Sequence, residues 1–217
     1  MTTRRNPYRT WLAALAVGLA GCAVTPTPAP VAVDRDWFIF LETGKKTPDD
    51  KARVQAMQRG HLENFKRLFG ERKLFAAGPL RDPAGVKRGI VVVRARDRAT
   101  LDAYFQPDEY VREGYMTLNA TPVTVMKPLA TEGIDANAIE EVRIVQVLRN
   151  APVDAARIQS AIDQGTFGAG YQLESGPLSH ILFARDKDEA RLRAALGITD
   201  PAHVLVWAQW IGKGVVR

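Results

Sequence analysis

The spacing of apolar residues switches repeatedly between strand and helix periods, and the switches mark the elements. Trp37-Phe38-Ile39-Phe40-Leu41 is an unbroken apolar run of strand length. Val54, Met57, His61, Phe65 and Leu68 then recur at helical spacing, with Leu62 and Phe69 flanking, which predicts an amphipathic helix. Thr47-Pro48-Asp49-Asp50 reads as its start: Thr47 can cap free amides, Pro48 suits the first helical position and Asp50 completes a capping box. Gly70 is placed to be its left-handed stop. Lys73 to Ala77 reads as a short strand ended by Gly78-Pro79, and Asp82-Pro83-Ala84-Gly85 is turn chemistry. Gly89 to Val93 is a buried strand, Asp97 to Phe105 a second helix and Thr121 to Met126 a closing strand.

The order is β-α-β-β-α-β, the ferredoxin-like plan of the α+β class. The remainder reads as a shortened second copy. Val91-Val92-Val93-Arg94-Ala95-Arg96-Asp97 and Ile181-Leu182-Phe183-Ala184-Arg185-Asp186 both run from an apolar strand through an Ala-Arg-Asp corner into a helix. Gly176-Pro177-Leu178 repeats Gly78-Pro79-Leu80. Val142 to Leu148, Val153 to Ile162, Glu189 to Leu196 and Val204 to Trp210 supply the leading strand, two helices and last strand. The expected architecture is two tandem ferredoxin-like units of the dimeric α/β-barrel type, residues 36–128 and 140–217, joined by a linker at 129–139.

His61 falls on the apolar stripe of the first helix, and from the stripe alone the simplest reading is a core histidine with one hydrogen-bonded nitrogen. Gly60 beside it would let another backbone or a ligand come close, or only relieve crowding.

On five features taken together the chain resembles the YCII-related family, over residues 36–127. These are His61 in the helix, Gly78-Pro79-Leu80, Asp82 beyond it, the strand at Ile90 to Val93, and Asp108-Glu109-Tyr110-Val111 after the second helix. In that family the helix histidine and the aspartate after Gly-Pro look like an acid–base dyad, so the resemblance implies candidate catalytic roles for His61 and Asp82. Glu109 stands where the family usually carries proline. YCII-type domains usually pair as dimers through their sheets, so a fused second copy implies a pseudo-dimer within one chain. That copy lacks the loop bearing Asp82, because only Ser179 and His180 separate Leu178 from Ile181, and Gln159 falls at the His61 position. One site is therefore expected.

The first twenty residues stand outside this plan. Arg4, Arg5 and Arg9 precede a short apolar core from Trp11 to Ala20, too short to span a bilayer. Leu19-Ala20-Gly21-Cys22 matches the bacterial lipobox, so residues 1–21 read as a lipoprotein signal and Cys22 as a lipidated amino terminus. Residues 22–35 include Thr25-Pro26-Thr27-Pro28-Ala29-Pro30, a stiff tether. Ala23 after the cysteine resembles lipoproteins sent to the outer membrane and implies an envelope location facing the periplasm. Cys22 is the only cysteine of the 217 residues, which excludes an internal disulfide. The formal charge of +6 falls to +3 once the three arginines of the signal are removed.

No basic stripe interleaved with aromatics occurs, so nucleic acid is not an expected partner. No phosphate-cradling loop, nucleophile elbow or zinc-helix motif occurs, and neither metal nor cofactor is implied. His180 and His203 read as surface residues. Arg81, beside Gly-Pro-Leu, could hold an anionic substrate and reads equally as a surface charge. Two functional readings stand. One is a membrane-anchored small-molecule enzyme using acid–base chemistry at His61 and Asp82. The other is a non-catalytic binding or structural envelope lipoprotein with a vestigial site.

Overall fold

The computed structural model describes residues 33–198 and 200–217. Cys22, the signal and the tether up to residue 32 lie outside them, and Arg35, expected at the end of the tether, already opens the first strand.

Among the described residues, eight strands and five helices follow in the order β1 (Arg35–Thr43), α1 (Lys51–Gly70), β2 (Leu74–Pro79), β3 (Lys87–Ala95), α2 (Arg98–Tyr104), α3 (Glu109–Arg112), β4 (Met116–Lys127), β5 (Asp135–Leu148), α4 (Ala155–Asp163), β6 (Ala169–Leu173), β7 (Leu178–Ala184), α5 (Glu189–Ala195) and β8 (Val204–Lys213). The strands form one antiparallel sheet ordered β2-β3-β1-β4-β6-β7-β5-β8. The first four strands run β2-β3-β1-β4 and the last four β6-β7-β5-β8, the same order in each half.

The sheet nearly closes on itself. The two halves join at β4 and β6, where Val123 pairs with Leu173 and Val125 with Tyr171. At the other seam Leu80 bridges to Gln209, and the Arg81 amide donates to the Ala208 carbonyl at 3.0 Å. Gly78 makes this approach possible, because a Cβ there would collide with the Trp210 carbonyl oxygen.

Curling the sheet buries its inner face and the helices cover the outer one, so that β1, β3 and β7 are buried on both faces, which explains their continuous apolar runs. Phe38 and Phe40 of β1, Ile90 and Val92 of β3, Val142 and Ile144 of β5 and Ile181 and Phe183 of β7 point inward and pack into one core. The alternate residues Trp37, Ile39, Leu41, Val91 and Val93 meet α1 and α2 through Leu68, Leu101 and Phe105. Val145, Val147, Leu182 and Ala184 meet α4 and α5 in the same way. The described residues from 33 onward thus form a single compact unit, and the segment 129–139 is built into it: Leu129 packs into the inner core, and the last residues of the segment open β5.

Two expected caps shift. Asp50, not Thr47, caps α1, its carboxylate accepting from the amides of Ala52 and Arg53. The helix runs through Gly70, and Arg72 takes the left-handed turn instead, at φ 56°. The shared Gly-Pro-Leu tripeptides are not equivalent either. Gly78-Pro79 ends β2 inside its ladder with β3, whereas Gly176-Pro177 forms the turn before β7 with Gly176 at φ 87°. Tripeptide identity matched two different needs, close packing in one case and positive φ in the other.

Candidate functional site

The 20-residue helix α1 lays its apolar stripe on the outer face of the sheet and buries Met57, His61, Asn64 and Leu68. Asn64 is held by its Nδ2 donating to the Tyr104 carbonyl at 3.1 Å, which ties α1 to the end of α2. After α2 the chain turns through Gln106-Pro107 and restarts as the one-turn helix α3, whose N-cap is Asp108. Its Oδ1 accepts from the Tyr110 amide at 3.0 Å. Its Oδ2 lies 2.5 Å from His61 Nδ1. The Asp108 side chain is fully buried and that of His61 is 8 % exposed.

A carboxylate carries no proton to donate, so neutral His61 must hold its proton on Nδ1 and leave Nε2 as a lone-pair base. Nε2 has no hydrogen-bond partner among the described residues. Phe65 packs on the ring at 4.3 Å between centroids, and Tyr110 meets it edge-on at 5.7 Å. The Tyr110 hydroxyl donates weakly to the Val54 carbonyl at 3.4 Å. Burial pushes the phenol pKa up; the nearby Arg88 guanidinium opposes this and Asp108 adds to it. Arg88 is the exposed cation that this site senses. It is the β3 residue skipped where the register with β1 shifts, Leu41 pairing with Gly89 and Glu42 with Lys87.

The carboxylate beside His61 is therefore Asp108 and not Asp82. Asp82 folds its own loop: its oxygens accept from the amides of Ala84, Val86 and Lys87 at 2.8–3.0 Å. Partial burial pushes this carboxyl up, and the three amides with the Lys87 charge outweigh it, so its pKa is lowered. Arg81 sits at the β2–β8 seam with its guanidinium 5.6 Å from the Trp210 ring centre. Gly60 faces open space, so nothing exploits its missing side chain. Glu109 opens α3 and pairs with Arg53 at 3.1 Å. Gln159 bonds its own helix through Asp163.

Sequence reasoning missed Asp108 although its motif was in view. Asp108 follows proline and precedes Glu-Tyr-Val-Arg, a helix-start signature. It also missed Lys87. That ammonium lies 4.3 Å from the Phe40 ring centre and 5.1 Å from that of Trp207, and donates to Gln146 Oε1 at 3.3 Å. Burial lowers the Lys87 pKa, against the raising influence of Asp82 and Glu42. His180 is buried, not at the surface, with Nδ1 3.0 Å from Ser179 Oγ and Nε2 unpartnered. Among the described residues no three His, Cys, Asp or Glu side chains gather as a metal-binding group.

No protein-family model matches the chain. No curated protein matches it either. Among solved structures, it is similar to a candidate monooxygenase from Lactobacillus acidophilus, at 10% identity and TM-score 0.49, covering 84% of this chain and 98% of that one. A second candidate monooxygenase, from Fusobacterium nucleatum, gives 12% identity and 0.48, covering 86% and 94%. A variant chlorite dismutase from Candidatus Nitrospira defluvii gives 12% identity and 0.47, covering 82% and 90%. Likeness at this level assigns no chemistry to the chain, which is read below from its own residues.

Proposed function

We propose that this chain is a YCII-like small-molecule enzyme of the cell envelope, anchored through Cys22, in which His61 is the acid–base group and Asp108 its orienting carboxylate. The observation that carries the reading is the 2.5 Å approach of Asp108 Oδ2 to His61 Nδ1, which fixes one nitrogen and leaves the other free. Asp108 belongs to the Asp108-Glu109-Tyr110-Val111 motif quoted for the family resemblance, whereas the partner that the resemblance implied was Asp82. In this reading Nε2 takes a proton from a small molecule and returns it, Asp108 stabilises the imidazolium formed between the two steps, and Arg88 supplies positive charge beside the site. The chain is two ferredoxin-like units in tandem, supported by the common strand order of its halves, and the second unit serves as the sheet partner that a separate chain would otherwise provide.

A second reading is favoured by a specific observation. His61 is only 7 % exposed, and three cavities among the described residues have linings without it. In that reading the pair clips α1 to α3 and the chain binds rather than converts its ligand.

One set of measurements separates the two. Small carbonyl compounds are screened for solvent-deuterium incorporation with the wild type and with His61→Gln, alongside thermal melting. Catalysed exchange that His61→Gln abolishes with little change in melting supports the enzyme. No exchange by the wild type, together with a large loss of melting temperature in the variant, establishes the clip and ends the catalytic reading. The anchor is tested separately: Cys22→Ser should release the protein from membranes or stall its processing, and unchanged partitioning with normal processing refutes lipidation.

A further inference from the structure

Two adjoining cavities open where the C-terminal half of α1 meets the start of β2. One, of about 240 Å³, is lined chiefly by Leu62, Phe65, Phe69, Phe75, Ile134 and Ile139. The other, of about 460 Å³, shares Phe69, Phe75 and Ile134 and adds Arg72 and Arg94. The larger alone falls within the roughly 300–1,000 Å³ of small-molecule sites. Together they make one groove, apolar at one end and cationic at the other. Its apolar end holds three of the most exposed large hydrophobic residues in the described chain: Ile139 at 73 %, Leu62 at 47 % and Phe69 at 37 %.

The cationic end is built at a cost. Arg72 is the only non-glycine residue at positive φ among those described. It occupies the left-handed position after α1, with the Lys73 amide donating to the Leu68 carbonyl at 2.9 Å. Glycine suits that position better, since a side chain is strained there. The Arg72 guanidinium makes no ion pair among the described residues. Arg94 is fixed by its Nε, which donates to the Asp36 carboxylate at 2.7 Å, and by stacking 4.9 Å from the Phe75 ring centre. Its two Nη groups make no hydrogen bond among the described residues. Glu132 is the one acid in the lining, and Lys66 adds a cation at the apolar end.

We propose that this groove binds a long-chain carboxylate, the chain lying along Phe69, Phe75, Leu62 and Ile139 and the carboxylate meeting Arg72 and Arg94. Apolar length with two guanidiniums at one end is the complement of a fatty-acid-like anion. The proposal does not rest on the acid–base reading, because neither His61 nor Asp108 lines the groove, although Phe65 of its lining packs on the His61 ring.

The test uses the full chain carrying Cys22→Ser, which has no acyl group of its own, with dodecanoate below its micellar concentration as the probe. Calorimetry should show saturable one-to-one binding. Arg72→Gly should weaken it roughly tenfold, the worth of one charge-assisted hydrogen bond, while leaving the melting temperature unchanged or higher because the left-handed turn is relieved. Ile139→Asp, at an exposed position, should weaken binding comparably. Absence of saturable binding overturns the proposal. So does binding that resists Arg72→Gly, since the carboxylate then has no cationic seat, or binding that resists Ile139→Asp. Capture by phosphatidylglycerol vesicles without binding of monomeric dodecanoate also overturns it, and marks a membrane-facing surface instead.

Discussion

Each half of the molecule buries a histidine against its outer sheet face, and the two are treated oppositely. In the first half His61 meets the fully buried carboxylate of Asp108. In the second, His180 on β7 meets a serine hydroxyl and the positive field of Arg149, with no carboxylate at hand. The same strand order therefore carries one histidine paired with a buried carboxylate and one held from gaining a proton by burial and a neighbouring cation. Helix length explains part of the contrast. The 20-residue α1 reaches across to α3, whereas α4 has nine residues and its Gln159 bonds only within its own helix. The difference teaches that the layout of strands does not decide the chemistry; the lengths of the covering helices and the loops between them do.

The comparison can be broken most strongly at Asp108. Asp108→Ala removes both the partner of His61 and the cap of α3, so a loss of roughly 3 kcal/mol is expected in urea unfolding. A loss below that of Asp82→Ala, which should cost about 1 kcal/mol through its three amide contacts, would show that the buried pair is not the anchor described here. The two Gly-Pro-Leu sequences come next. Gly78→Ala should cost roughly 2 kcal/mol by forcing a methyl into the Trp210 carbonyl. Gly176→Ala meets open space and only a strained φ, so about 1 kcal/mol is expected. Equal costs would mean that the tripeptides are equivalent after all.

A smaller effect separates the histidines by pH. Burial lowers the His180 pKa, and the Arg149 charge lowers it further. In the unfolded chain the group titrates near its ordinary value of about 6.5. Between the two values the unfolded state binds more protons, so the stability His180 contributes is present above about pH 6.5 and is lost as pH falls through the folded pKa. Replacing His180 by Gln should flatten the acid limb of a melting-temperature profile from about pH 7.5 to about pH 5. An unchanged acid limb would place the pH sensitivity elsewhere. The smallest change is expected at Gln159→Ala, within about 0.5 kcal/mol, because its side chain bonds only its own helix.

Much of the layout was legible because curling the sheet gave the strands uninterrupted apolar runs, as at Trp37 to Leu41 and Gly89 to Val93. Strand β5 was read short, since its first turns, from Asp135, carry polar residues that pair with the end of β8. The helix stop was misplaced because Gly70 satisfied the rule for a stop while Arg72 took the conformation against its own preference. His61 was legible from its place on the stripe. Its partner was not, because periodicity reports faces of elements and is silent about which loop folds over them. Asp82 stood beside a conspicuous Gly-Pro, yet three nearby amides satisfy it locally, as short aspartate side chains in turns commonly are.

The two seams that close the sheet are unequal. The one between β4 and β6 has a ladder of four residue pairs, from Val123–Leu173 to Lys127–Gly170, whereas that between β2 and β8 rests on the Leu80–Gln209 bridge, the Arg81 amide and the room left by Gly78. Thermal fluctuation in such a cylinder starts where fewest bonds must break. The backbone amides around Arg81 should therefore exchange with solvent deuterons earlier than those of the β4 ladder. The barrel then breathes like a cuff with one clasp, and its hinge lies on the opposite wall.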